Sequence, residues 1–182
     1  MAIFKGVTVW LAAIAVFCTP VHAQDARDQF FASLKALCGA RFEGTMTFPA
    51  DDQHDFAGKR LVAHIASCSD DEIRVPFHVG EDRSRTWVFS RTADGLQFKH
   101  DHRHADGTPE KVTMYGGLAN VTGTPLAQSF PADAYTAKLI PEAATNVWTV
   151  SLSADGTSLT YHLQRNARPR LIAVLERQPA KP

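Results

Sequence analysis

The feature that most constrains the fold is a series of short runs in which polar and apolar residues alternate, separated by turn signals. The tripeptide Ala-Asp-Gly occurs at 93–95, 105–107 and 154–156, each time between two such runs. Asp-Gly favours a hairpin because glycine accepts the positive φ that a tight turn requires. Strands joined mainly by hairpins form an antiparallel meander, so the sequence indicates a mainly β protein.

Ten runs have the length and alternation of strands. They are 41–48, 60–68, 72–79, 85–92, 96–104, 110–118, 122–130, 146–153, 157–165 and 170–177. We predict an antiparallel up-and-down β-barrel of about eight to ten strands. Pro76 lies inside one run and has no N–H to donate, so that strand must be an edge, a bulge or a break. A β-sandwich or a partly open barrel is therefore the alternative.

One helix is predicted ahead of the strands. Asp25 or Asp28 can cap its amino end, and Phe30, Phe31, Leu34 and Leu37 form an apolar stripe at helical spacing. Gly39 ends it, and no other helical periodicity follows.

Residues 1–23 have the pattern of a secretory signal peptide. Lys5 precedes an apolar run over 7–17, and 21–23 ends in Ala23 like a cleavage site. The apolar run is too short to span a bilayer. We expect 24–182 to be a single β-barrel domain without a membrane span, periplasmic or secreted.

Cys38 and Cys68 are the cysteines beyond that signal. In an oxidising compartment they most simply form one disulfide. The alternative is a pair of metal-binding or redox-active thiols, although their spacing is not that of a Cys-x-x-Cys motif.

The charges are balanced, with 19 Lys and Arg against 19 Asp and Glu. Without a basic excess or a basic helix, nucleic acid and anionic membranes are not expected partners. The expected partner is a small molecule, and the sequence leaves the oligomeric state open.

The run 96–104 carries the candidate site. At the two-residue period of a strand, one face holds Leu96, Phe98, His100, His102 and His104, and the other holds Gln97, Lys99, Asp101 and Arg103. The second set is typical of a solvated face, so the first is expected to point inward. We name His100, His102 and His104 the histidine row.

A two-residue turn at 94–95 predicts the neighbours of this row. It sets His100 opposite Phe89, His102 opposite Trp87 and His104 opposite Arg85. Aromatic walls beside imidazoles and a guanidinium suit an anionic or planar ligand, including a haem-like one bound through an imidazole. Alternatively, Trp87 and Phe89 are core residues. The predicted ligand-binding set is His78, Arg85, Trp87, His100, His102, His104 and Tyr115.

A metal site is the second interpretation of the row. Inward residues two apart on a strand lie roughly 6.5–7 Å apart, so His100 and His102 can share one divalent ion. A third ligand would come from His78, Asp82 or Glu110, giving a metal-dependent enzyme. Neutral, hydrogen-bonded histidines at a barrel mouth are the simpler interpretation. A third hypothesis is an envelope protein or inhibitor that acts through surface loops. No catalytic residue is assigned.

Two resemblances add to this interpretation. A helix followed by a strand with Phe42-Glu43-Gly44, a meander and a late Arg165 resembles the calycin group of lipocalins and fatty-acid-binding proteins, which implies a small ligand-binding barrel. The segments PFHVGEDRSRTW (76–87), HDHRHADG (100–107) and YGG (115–117) are similar to an uncharacterised family of secreted bacterial proteins. That similarity implies export and a single domain, and it assigns no site residue.

Overall fold

A computed structural model describes residues 25–49 and 54–179. The predicted signal peptide lies outside these residues. The strands are β1 (Arg41–Phe48), β2 (Leu61–His64), β3 (Ser67–Cys68), β4 (Glu72–Val79), β5 (Asp82–Thr92), β6 (Gly95–His102), β7 (Tyr115–Leu118), β8 (Ala127–Pro131), β9 (Asn146–Leu152), β10 (Ser158–Arg165) and β11 (Arg168–Arg177). The helices are α1 (Ala26–Ala36) and α2 (Ala134–Leu139), and α2 is followed by a 3-10 turn at Pro141–Ala143. In this part of the chain, neither helix is long and apolar enough to cross a bilayer.

Ten of the strands form a nearly closed antiparallel barrel. Their order is β7-β6-β5-β4-β2-β1-β11-β10-β9-β8, and the short β3 pairs with β4 beside β2. β7 and β8 meet at a seam, where the Asp133 N–H donates to the Gly116 carbonyl and the Asn120 N–H to the Ser129 carbonyl, both at 2.9 Å. The predicted mainly β barrel with an N-terminal helix is confirmed.

Large aromatic side chains fill the barrel interior. Trp87 stacks between Phe77 and Tyr161, with ring centroids 4.2 and 4.7 Å away, and Phe89 stacks on Phe98 at 4.7 Å. All except Tyr161 are 1% exposed or less. Burying such a side chain contributes roughly 1.5–3 kcal/mol. The alternative expectation, that Trp87 and Phe89 are core residues, is therefore correct, and the interior is packed.

Helix α1 closes one end of the barrel. The Asp25 carboxylate caps it by accepting the Arg27 N–H at 2.9 Å, and Phe30, Phe31 and Leu34 are buried against the core. The predicted disulfide joins Cys38, just after this helix, to Cys68 in β3. The opposite end, where β6 and β10 finish and β7 and β9 begin, is the mouth.

Pro76 lies where the ladder beside β4 is broken. On β2 the last pair with β4 is Ala63 opposite Phe77, and on β3 the first is Ser67 opposite Arg74. Neither strand therefore pairs with β4 at Pro76. The break accommodates a residue that has no N–H to donate. The nearly closed barrel thus accommodates the proline within β4.

Several sequence expectations about elements are wrong. α2 was not predicted, because six residues are too few for a helical periodicity to show. The predicted strands 96–104, 110–118 and 122–130 are shorter, as β6, β7 and β8. The Ala-Asp-Gly at 105–107 lies in an irregular segment, where its turn is closed by a bond from the Gly107 N–H to the His104 carbonyl (2.9 Å).

Candidate functional site

The β5–β6 hairpin sets the neighbours of the histidines. Thr92 pairs with Gly95, so the turn residues are 93–94, and Trp87 lies opposite His100 while Arg85 lies opposite His102. The predicted register is wrong by two residues. Gly95 has a φ of 121°, and its carbonyl accepts a hydrogen bond from the Thr92 hydroxyl at 2.9 Å. Gly95 is therefore the first residue of β6 and not a turn residue. A shift of two preserves the faces, and His100 still points inward.

The histidine row is shorter than predicted. His100 is 2% exposed and faces the core, and His102 is the last residue of β6. His104 lies beyond the strand and is exposed, with its N–H bonded to the Thr108 carbonyl at 2.9 Å. His78 lies on the outer face of β4, because its neighbours Phe77 and Val79 fill the inner face. The inward placement of His104 and the grouping of His78 with the row are therefore wrong.

The opposite face of β6 is covered rather than solvated. Lys99 is 7% exposed, because its ammonium pairs with the Asp133 carboxylate and lies over the Tyr135 ring. Asp101 is 2% exposed and accepts from Arg74 at 2.7 Å and from Arg103 at 3.0 Å. α2 and the segment 103–114 provide this cover, which local alternation does not reveal.

His100 is held by two tyrosines. Its Nδ1 lies 3.2 Å from the Tyr115 carbonyl, which only accepts, so Nδ1 carries the proton. Its Nε2 is therefore unprotonated and accepts a hydrogen bond from the Tyr161 hydroxyl, 3.0 Å away. Burial lowers the pKa of His100 to about 3. The imidazole is therefore neutral at physiological pH, with both nitrogens engaged.

His102 holds the second tyrosine. Its Nε2 lies 3.0 Å from the Tyr115 hydroxyl, and its Nδ1 lies 3.9 Å from the Glu110 carboxylate. Burial, together with the nearby Arg85 guanidinium, lowers the pKa of His102. Burial also raises the pKa of Tyr115 to about 12. The tyrosine hydroxyl therefore stays protonated.

The concave surface at this end lies above these pairs. A cavity of about 260 Å³ is lined by aromatic side chains of Tyr115, Trp148 and Tyr161 and by the polar groups of Asn146 and Arg165. We name it the mouth depression. The Arg165 Nε donates to the Asn146 Oδ1 at 2.8 Å, which joins β10 to β9 at the rim. The turn that contains His54 and Phe56 forms the facing wall.

The sequence interpretation missed three of these residues. Asn146 and Trp148 alternate along the inner face of β9, and Tyr161 precedes Arg165 on the same face of β10. Their alternation was a visible signal, but it does not say which strands meet. Of the predicted set, the structure brings Arg85, Trp87, His100, His102 and Tyr115 together. Arg85 pairs with Asp82 at 2.7 Å.

A metal site gains no third ligand from the geometry. Within 25–49 and 54–179, no group of three or more His, Cys, Asp or Glu is placed to hold a metal ion. A metal or haem-like ligand bound through His100 would have to displace a tyrosine contact, since both imidazole nitrogens are engaged. The metal hypothesis stays a prediction.

Comparison with known proteins identifies no family. Neither the models of known protein families nor the curated proteins contain a match to this chain. A solved structure of a redesigned β-barrel is similar to 82% of this chain and to 96% of its own, with 13% sequence identity and a TM-score of 0.33.

Proposed function

We propose that the protein binds a small, mainly apolar planar molecule in the mouth depression. The observation that carries this proposal is the placement of Tyr115, Trp148 and Tyr161 around one concave surface at the end of the barrel that α1 leaves open. Ligand sites typically combine apolar and aromatic walls with a few placed polar groups. Asn146 and Arg165 supply such groups at the rim.

The ligand in this proposal lies against the rings at the mouth. It does not enter the barrel, because Trp87 and Phe98 fill the interior. His100 and His102 act as positioning residues. They hold the hydroxyls of Tyr161 and Tyr115 and so fix the two rings that a planar molecule would contact.

A neutral fluorescent probe, N-phenyl-1-naphthylamine, tests this function. We expect saturable binding to the folded protein, accompanied by quenching of tryptophan emission. Trp148→Leu removes one wall of the depression and should weaken binding at least about tenfold, or roughly 1.4 kcal/mol. Phe89→Leu is the matched control, because Phe89, like Trp148, is a buried core aromatic residue but lies outside the depression. Absence of saturable binding, or equal affinity in the Trp148→Leu variant, contradicts the proposal.

We also propose that the protein acts after export, in the periplasm or outside the cell. The Cys38–Cys68 disulfide supports this, because such bonds persist in oxidising compartments. The predicted signal at 1–23 and the similarity to secreted bacterial proteins belong to the same proposal. Fractionation of cells that express the full chain, with mass measurement of the processed protein, tests it: an unprocessed cytosolic product contradicts it.

The metal-dependent enzyme and the loop-acting envelope protein or inhibitor remain alternative proposals. Elemental analysis of the purified protein beside a His100→Ala/His102→Ala variant tests the first. Stoichiometric metal that disappears in the variant would favour the enzyme over the binding protein.

A further inference from the structure

The β10–β11 hairpin carries three arginines at the rim of the mouth. Arg165 pairs with Arg168 across a tight turn, in which Asn166 and Ala167 have φ values of 51° and 57°. Arg165, Arg168 and Arg170, with Asn166 and Pro169, line a shallow cavity of about 510 Å³. We name these three residues the arginine cluster.

The arginine cluster has no carboxylate partner in the part of the chain that the structure describes. Among the described residues, no ion pair joins Arg165, Arg168 or Arg170 to an acidic side chain. Arginines elsewhere have such partners: Arg60, just before β2, lies 2.5 Å from Glu43, and Arg74 on β4 lies 2.7 Å from Asp101. Three close cations without such partners create a local positive potential that attracts anions.

The arginine cluster continues directly into the mouth depression. Arg165 lines both cavities, and it lies on the inner face of β10 two and four residues after Leu163 and Tyr161. The combined surface is therefore aromatic inside and cationic at the rim. Asp55 is the acidic residue in the lining of the depression, and it is exposed to solvent.

We propose that the ligand carries an anionic group, a carboxylate, sulfonate or phosphate, which the arginine cluster binds while the apolar part lies in the mouth depression. This inference rests on the proposed function for the apolar part. Guanidinium groups suit such anions because their planar N–H donors match pairs of anion oxygens. The attraction acts in exposed surroundings, so it should weaken as salt is added.

Two probes that share a ring system test the inference. 1-Anilinonaphthalene-8-sulfonate carries a sulfonate, and N-phenyl-1-naphthylamine does not. At low ionic strength we expect the sulfonate probe to bind about five- to tenfold tighter, as a few exposed charge contacts allow. Arg168→Gln/Arg170→Gln should remove that preference without changing the affinity for the neutral probe. Asp55→Asn should increase the preference.

Arg177→Gln is the matched control. Arg177 is exposed at the far end of β11, distant from the hairpin, and it has no acidic partner among the described residues. This variant should retain the full sulfonate preference. A preference that falls equally in the control and the double variant overturns the inference, since it would report overall charge.

The remaining outcomes separate the two proposals. Equal affinity for both probes overturns the anionic ligand and leaves the mouth depression as an apolar site. If the affinity for the sulfonate probe depends on the arginine cluster but is unchanged in Trp148→Leu, the anion site is supported and the proposed function is contradicted. Failure of both probes to bind contradicts both proposals.

Discussion

The hydroxyl of Tyr161 on β10 donates a hydrogen bond across the barrel to the Nε2 of His100 on β6, 3.0 Å away. His100 is 2% and Tyr161 5% exposed, so water does not compete for either group. The second imidazole nitrogen donates to the Tyr115 carbonyl of β7. One neutral histidine therefore links three strands at the base of the mouth.

Acid should destabilise the protein through His100. In the unfolded chain the imidazole takes up a proton near pH 6.5, whereas burial lowers its pKa in the folded protein to about 3. Protons therefore favour the unfolded chain between these values. The contribution of neutral His100 to stability is complete above pH 6.5 and is lost as the pH falls toward 3. By pH 4 the free energy of unfolding has fallen by roughly 3 kcal/mol through this group.

Urea unfolding of the wild type and His100→Gln between pH 7 and pH 4 checks this. The variant should be less stable at pH 7, but its free energy of unfolding should fall less steeply with acid. His104→Gln is the control, because His104 is exposed, and it should follow the wild type. Equal slopes for His100→Gln and the wild type would show that other groups carry the pH dependence.

Alternation along β6 was sufficient to predict that Leu96, Phe98 and His100 are buried, because local periodicity determines which face a side chain occupies. It failed for Lys99 and Asp101, since alternation within a strand does not show that α2 and the segment 103–114 fold back over this face. The hairpin register also failed, because the position of the turn depends on how Thr92 bonds Gly95.

The mouth depression was beyond the reach of sequence patterns for a related reason. Tyr115 lies on β7 and Tyr161 on β10, and they meet only because the strands wrap into a nearly closed barrel. The two cysteines beyond the predicted signal, by contrast, left one simple pairing, and the predicted disulfide between Cys38 and Cys68 is confirmed.

Removing the Tyr161 hydroxyl should lower the free energy of unfolding more than removing the Tyr115 hydroxyl does. Tyr161→Phe leaves a buried acceptor on His100 without a partner, a loss of about 1–3 kcal/mol. Tyr115→Phe affects His102, whose side chain is 12% exposed at the mouth, so water can replace the bond and less than about 1 kcal/mol is expected. Urea unfolding at pH 7 compares the two. A Tyr115→Phe loss equal to or larger than that of Tyr161→Phe would contradict this ranking.

The seam between β7 and β8 depends on Thr136 of α2. Its fully buried hydroxyl accepts the Gly116 N–H at 2.7 Å and donates to the Gly116 carbonyl at 2.8 Å. Thr136→Val keeps the shape and removes both bonds. The Gly116 carbonyl still accepts the Asp133 N–H, but the Gly116 N–H is left without a partner, so we expect a loss of about 1–3 kcal/mol. Hydrogen exchange of the β7 amides should accelerate.

Thr160→Val provides the comparison for the seam. Thr160 lies on the outer face of β10, where a β-branched apolar residue fits the strand, so stability should change by less than about 0.5 kcal/mol. Unchanged β7 exchange in Thr136→Val would mean that the ladder to β6 alone holds this strand.

Reduction should destabilise the closed end of the barrel. The Cys38–Cys68 disulfide spans 30 residues, including β1 and β2, and it ties the end of α1 to β3. Releasing a loop of that length enlarges the unfolded ensemble, so we expect a loss of roughly 3–4 kcal/mol. Urea midpoints with and without dithiothreitol measure it for the wild type and for Cys38→Ser/Cys68→Ser. The urea midpoint of the double variant should equal that of the reduced wild type and should not change with dithiothreitol, because the same constraint is absent from both. A double variant as stable as the oxidised wild type would show that packing of Phe30, Phe31 and Leu34 suffices to hold α1 in place.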